Sequence, residues 1–254
     1  MIVLRQIAGA RLGLQSTQLV VHHLRRTIMR QCAVHPPEWL SGHGTDNNAS
    51  RREGGHMALV PLPHIGREHA DGRLLGVAIV LPRDVPRGEL SACLGDLLFD
   101  EQAWSKPIGL TLGAAGECTL QLDDGAEFRH GLRPETWTGT SLRWATVTPI
   151  CLDRHPRGEH YWQQVEARIA DGCERIGLAR PADVVATPSP VFSGVPHAVR
   201  MPRITRKADS GLVRHTHAVL LFDRPVRGPV VVGAGRYRGY GLCRALSGGQ
   251  SSRR

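Results

Sequence analysis

Lysine is almost absent from this basic chain: only Lys106 and Lys207 occur, although the net charge is +9 and the pI near 9.9. The positive charge is therefore nearly all arginine, whose planar guanidinium suits bidentate phosphate recognition, though GC-rich coding produces the same bias. C-x-x-C pairs are missing as well. The six cysteines (32, 93, 118, 151, 173, 243) are scattered, which fits a reducing cytosol and argues against a structural zinc site. No apolar run approaches the ~20 residues of a membrane span. No signal peptide precedes the short apolar start, so a cytoplasmic location without a membrane partner is expected. Gly-Lys-Ser/Thr is absent, which excludes a P-loop. Arg238 stands where a dinucleotide fingerprint beginning at Gly233 needs its third glycine.

What is present is a 41% hydrophobic chain of 254 residues, enough for one large domain or two small ones with a buried core. Thirteen histidines bring groups that titrate near neutral pH. The most distinctive stretch is Asp223 to Leu246, DRPVRGPVVVGAGRYRGYGLCRAL. Gly233, Gly235, Gly239 and Gly241 alternate there with Arg236, Tyr237, Arg238, Tyr240 and Arg244. Glycine lets a ligand approach backbone N–H groups, arginine offers donors to phosphate and tyrosine a stacking face. The stretch is either a loop for a polyanion or a plain glycine-rich turn between two C-terminal strands.

Read in order, residues 2–8 predict a strand and Ser16 an N-cap. A helix to about Gln31 follows, with Thr17, Val21, Leu24 and Ile28 on one face and His22, Arg26 and Arg30 as a basic ridge. Pro36 and Pro37 end it, and a long polar loop runs through Gly55. Strands follow at 56–62 and 74–81, then a helix marked by Leu90, Leu94, Leu97 and Leu98, then a strand pair at 108–112 and 118–122. The pattern restarts with a strand at 144–152 and a helix from about Glu159 to Gly177, its apolar face comprising Trp162, Val165, Ile169, Cys173 and Ile176. Strands at 184–192 and 215–222 flank a basic loop, and the glycine-rich stretch closes the unit. The expected class is α+β, with tandem ferredoxin-like (RRM-like) units and a C-terminal glycine-rich loop. Expected boundaries are 1–135 and 136–247, with a disordered tail at 248–254.

Four stretches match one family together: SGH at 41–43, HMALVPLPHIGREHADGRLLGVAIVLPRD at 56–84, WATVTPICLDRHPRG at 144–158 and HAVLLFDRPVRGPVVVGAGRYRGYGLCRAL at 217–246. They resemble the C-terminal, Cas-six-like half of the type I-U CRISPR-associated Cas-five/Cas-six fusion (Csb-two family) of the RAMP superfamily. The resemblance implies ferredoxin-like units and metal-independent, cofactor-free cleavage of precursor crRNA within its repeat, with the product retained. It also implies Cas-five-type and Cas-seven-type partners in a surveillance complex. No Cas-five half precedes residue 1, so a truncated gene, a separate subunit or a cloned domain is expected, and the assembly role of that half is not carried over.

Cleavage by 2′-hydroxyl attack to a 2′,3′-cyclic phosphate needs a base, an acid and positive charge at the phosphate. His43 is the first candidate, in a loop after the first helix. His69, in HADG, and His56 follow. His43 is otherwise a solvated loop histidine, and His56 a strand-start histidine packed on the sheet. Arg26, Arg154, His155, Arg200, Arg203, Arg206, Gly233, Gly235, Arg236, Tyr237, Arg238, Gly239 and Gly241 are the RNA-binding candidates. His64 reads as a turn residue, and His215 with His217 lacks a third metal ligand by spacing. Three rivals stay open: a non-catalytic crRNA-binding subunit, a two-histidine phosphodiesterase for which only His43-Gly44-Thr45 supplies the H-x-T element, and a metal-dependent hydrolase.

Overall fold

A computed structural model describes residues 1–32, 36–43, 55–126, 129–153, 156–205 and 211–246. Contacts divide the chain into two compact units, the first Met1–Arg133 with Tyr237–Gly239, the second Pro134–Arg236 with the chain from Tyr240. Three residues of the glycine-rich stretch, Tyr237–Gly239, thus group with the first unit, which nothing in the residue order signals. The expected tail at 248–254 lies outside the described residues.

Unit 1 runs β1 (Ile2–Gly9), α1 (Thr17–Gln31), α2 (Glu38–Ser41), β2 (Ala58–Pro63), β3 (Leu74–Val80), α3 (Arg87–Leu98), β4 (Ile108–Thr111) and β5 (Glu117–Leu122). Its sheet is antiparallel with order β2-β3-β1-β5-β4. In β2 and β3 nearly every residue is buried, as expected of strands covered on both faces. Gly76 lies against the Leu4 carbonyl on β1, where any Cβ would collide. Helix α1 buries Thr17, Val20, Val21, Leu24 and Ile28, leaving His22, Arg26 and Arg30 exposed. Ser16 is not the expected N-cap: a short 3₁₀ turn, Leu14–Ser16, leads into α1, so Ser16 already has helical dihedrals and its side chain caps nothing. Pro37 precedes α2, where its fixed φ suits a helix start.

Unit 2 runs α4 (Glu135–Thr138), β6 (Thr140–Thr146), β7 (Ile150–Cys151), α5 (Tyr161–Arg175), β8 (Asp183–Thr187), β9 (His215–Arg227) and β10 (Cys243–Ala245). The single strand expected at 144–152 is broken into β6 and β7, both antiparallel to β9, with β8 on the other edge of β9 and β10 outside β6. β8 stops at Thr187 because Pro188 and Pro190 cannot donate to the ladder. β9 runs through Pro225, which falls where the register with β6 shifts between Ser141 and Arg143, a bulge that tolerates proline. Helix α5 ends as its glycine foretold: Gly177 at φ +79 donates to Glu174 O at 2.9 Å and Leu178 to Cys173 O at 3.0 Å, a Schellman cap. Its core face holds Val165, Ile169 and Cys173 against Trp144, Leu220 and Phe222, whereas Trp162, expected there, is exposed.

Candidate nucleic-acid interface

In unit 1 the residues after α1 converge on one imidazole. Trp39 and Leu40 of α2 are buried, and Trp39 O accepts from Met57 N–H at 2.6 Å, fixing His56 beside α2 at the start of β2. Arg25 Nη2 reaches from α1 to donate to Leu40 O at 2.9 Å and Ser41 O at 2.7 Å. The helix closes on Gly42 at φ +75, and a Cβ there would stand 2.8 Å from His56 Nε2. The other face of the half-buried His56 ring stacks on Tyr237, with centroids 3.3 Å apart and planes 24° from parallel. A Cβ on Gly55 would lie 3.0 Å from the Tyr237 hydroxyl, so glycine on both sides leaves room for this sandwich.

His43 follows Gly42 directly and is exposed. Its N–H donates to Ser41 Oγ at 3.1 Å and its carbonyl accepts from that hydroxyl at 3.0 Å. His43 thus directly follows the glycine that packs on the His56 ring. His69 is not with them: it occupies the turn at the other end of β2, and the six residues of that strand span roughly 20 Å. Its side chain is 89% exposed, sits at φ +58 and lies 3.5 Å from Glu68. The order of that turn comes from Asp71 instead. Although partial burial acts the other way, bonds from Arg11, Arg73 and His64 hold its carboxyl well below the usual range. His64 is thereby a turn residue.

Positive charge collects around His22 on α1. His22 is pushed below its ordinary pKa, first by partial burial and then by the charges of His23, Arg26 and Arg238. Arg26 and Arg238 are both exposed.

The glycines behave differently from the expectation that they open the backbone to a ligand. A Cβ on Gly239 would meet Thr17 Cγ2 at 2.5 Å and Val21 Cγ2 at 3.1 Å, within unit 1. Within unit 2, a Cβ on Gly233 would strike Ile150 and the Cys151 carbonyl, one on Gly235 would lie 2.7 Å from Cys151 Sγ, and one on Gly241 would strike the Val232 carbonyl. The close approach these glycines permit is taken by the protein itself. The stretch is also pinned by backbone bonds: Val232 N to Gly241 O at 2.9 Å, Ala234 N to Cys151 O at 2.9 Å and Gly241 N to Pro149 O at 2.9 Å. Arg236, Tyr237 and Arg238 form a 3₁₀ turn with no buried residue.

Arg200 and Arg203 are exposed in unit 2, and Arg154, His155 and Arg206 lie outside the described residues. His217 is fully buried: its ring nitrogens meet Thr146 Oγ1 at 2.9 Å and Pro196 O at 3.1 Å. His215 Nε2 bonds Ala198 O at 2.8 Å. These two are structural histidines. Among the described residues no group of three or more histidine, cysteine or acidic side chains is placed to hold a metal, and no helix is long and apolar enough to cross a membrane. Sequence reasoning missed Arg25 and Gly42. The SGH motif placed a glycine beside a candidate histidine, but nothing in it told which ring would lie over that glycine.

The sequence model described as "CRISPR-associated protein, GSU0054 family" matches residues 3–179, well over half of the chain. The chain belongs to this CRISPR-associated family. No curated protein matches it. A solved structure described as "CRISPR associated protein Cas6" is similar over 97% of this chain and 98% of that one, at 10% identity and a TM-score of 0.43. In the GSU0054-family chain, the matched span includes α1, the α2 turn with His43, and His56, whereas Tyr237 and Arg238 lie beyond it.

Proposed function

We propose that this protein is a repeat-specific, metal-independent endoribonuclease that cleaves precursor crRNA and retains the product. The observation that carries this is the His56 ring held between Gly42 and Tyr237 with His43 next in the chain. Two imidazoles at one place supply the two proton transfers the reaction needs. One takes the proton from the 2′-hydroxyl as its oxygen bonds to phosphorus, and the other gives a proton to the 5′-oxygen as the P–O5′ bond breaks. A 2′,3′-cyclic phosphate and a 5′-hydroxyl result. Tyr237 fixes the plane of His56, and Arg26 and Arg238 set positive charge where the pentacoordinate phosphate gathers negative charge.

The resemblance to the Cas-six-like half of the type I-U fusion supports the same role, with Cas-five-type and Cas-seven-type subunits as partners in a surveillance complex. So does topology. Unit 1 places β1 between β3 and β5, and unit 2 places β9 between β8 and β6, the strand orders of two ferredoxin-like units in tandem. In the second unit the glycine-rich stretch stands where the second helix of that pattern belongs.

The test is incubation of end-labelled repeat RNA with the protein in excess chelator, comparing wild type with His43→Ala, His56→Ala and Tyr237→Ala. Cyclic-phosphate ends are expected, with His43→Ala and His56→Ala slower by ~10²–10⁴-fold while RNA is still bound. Specific binding with no turnover in wild type would assign the chain to crRNA binding alone. Cleavage unchanged in both histidine variants would overturn the site.

A further inference from the structure

Unit 2 contains a cleft of about 310 Å³ between α5, the end of β7 and the start of the glycine-rich stretch. Ile150, Leu152, Ile169 and Val232, all buried, form its floor. Three guanidinium groups rim it, from Arg168 and Arg175 on α5 and from Arg236, against a single carboxylate, Asp153. Asp153 Oδ2 accepts from Arg175 Nη1 at 2.6 Å, which fixes that side chain at the rim. Arg168 has no hydrogen bond or ion pair among the described residues, so a charge available to a ligand stands at the mouth. On the helical wall is Gly172, in the interior of α5. A Cβ there would meet Val232 Cγ1 at 3.7 Å and Arg175 Nη2 at 3.8 Å, which is ordinary contact. No steric need for glycine exists at this point of the helix, where it costs helix propensity. What glycine adds is space in the cleft.

We infer that this cleft is a nucleotide pocket, taking the phosphate of one ribonucleotide on the arginine rim and its base on the apolar floor. Its size is at the low end for ligand sites, enough for one nucleotide and too large for a bare phosphate alone. Arginine provides the paired donors that a phosphate accepts. The source is either a free nucleotide or one unpaired residue of a bound RNA strand, and only the second depends on the RNA-processing role proposed above.

The test is calorimetric titration of the full chain with each of the four ribonucleoside 5′-monophosphates and with inorganic phosphate, for wild type, Arg168→Ala and Gly172→Leu. At least one nucleotide is expected to bind more tightly than inorganic phosphate, because only the nucleotide uses the floor. Arg168→Ala should weaken it about tenfold by losing a charge-assisted bond, and Gly172→Leu should abolish it by filling the cleft. Displacement of the nucleotide by a five-residue unstructured RNA upholds the pocket with a strand as the source. A nucleotide that is not displaced upholds it with a free ligand. Equal affinity for nucleotide and phosphate, or full affinity in both variants, overturns it. Binding lost in Gly172→Leu by a protein that never cleaves repeat RNA leaves the pocket standing and removes only the nuclease role. Cleavage without nucleotide binding does the reverse.

Discussion

His217 should make the second unit acid-labile to an extent that can be worked out from its surroundings. It is 1% exposed, its Nε2–H donates to Pro196 O at 3.1 Å, and its Nδ1 accepts from Thr146 Oγ1, which itself accepts from Ala218 N–H at 3.0 Å. The ring is thus satisfied while neutral. Burial pushes its pKa down from 6.5 to about 4; the Pro196 carbonyl opposes this, and the charges of His215 and His197 add to it. Between those pH values the unfolded chain binds a proton that the folded chain refuses, so stability falls as pH falls through this window. The full loss is 1.36 kcal/mol per unit of pKa difference, about 3 kcal/mol in all, of which ~2.5 kcal/mol falls between about pH 7.5 and 4.5. The assay is urea unfolding at both pH values for wild type and His217→Gln, a side chain that stays uncharged throughout. His215 is shifted the same way but is present in both proteins, so its contribution cancels. Wild type should lose about 2.5 kcal/mol more than the variant. Equal losses in the two proteins would refute the protonation argument, whatever the absolute stability of His217→Gln.

Three further outcomes are expected. Gly241→Ala should destabilise by about 3 kcal/mol, because the residue has φ +76 and the added Cβ would strike the Val232 carbonyl; an unchanged unfolding midpoint would contradict that packing. Arg238→Ala should lower the salt dependence of RNA binding by about one counterion-release unit; a slope equal to wild type would move the phosphate path away from α1 and the 3₁₀ turn. All six cysteines are buried, and burial lifts Cys32 and Cys173 to about 12 and Cys118 to about 11. Thiol reagents should therefore label the chain only as it unfolds, and rapid labelling of the native protein would argue against this core.

Much of the architecture could be read from residue order. The stripe Val21, Leu24, Ile28 made α1 visible, and Gly177 marked the end of α5, because both are consequences of local periodicity and local backbone need. The approach of Gly42 to His56 was partly visible too, since SGH and His56 flank one loop. What could not be read was contact between distant segments. Tyr237 carries no sign that its ring faces His56, and Arg25 reads like any helical arginine although it turns inward to two carbonyls. The glycines misled for a physical reason. A missing side chain admits a ligand or a neighbouring strand equally well, and only the packing of Ile150, Cys151 and Val232 decides between them.

Arg25 has a consequence for motion as well as for position. By tying the last carbonyls of α2 to the middle of a four-turn helix, it couples the His43 turn to the same rigid rod that carries Arg26. Any displacement of that rod would therefore carry the His43 turn along with it rather than slide past it.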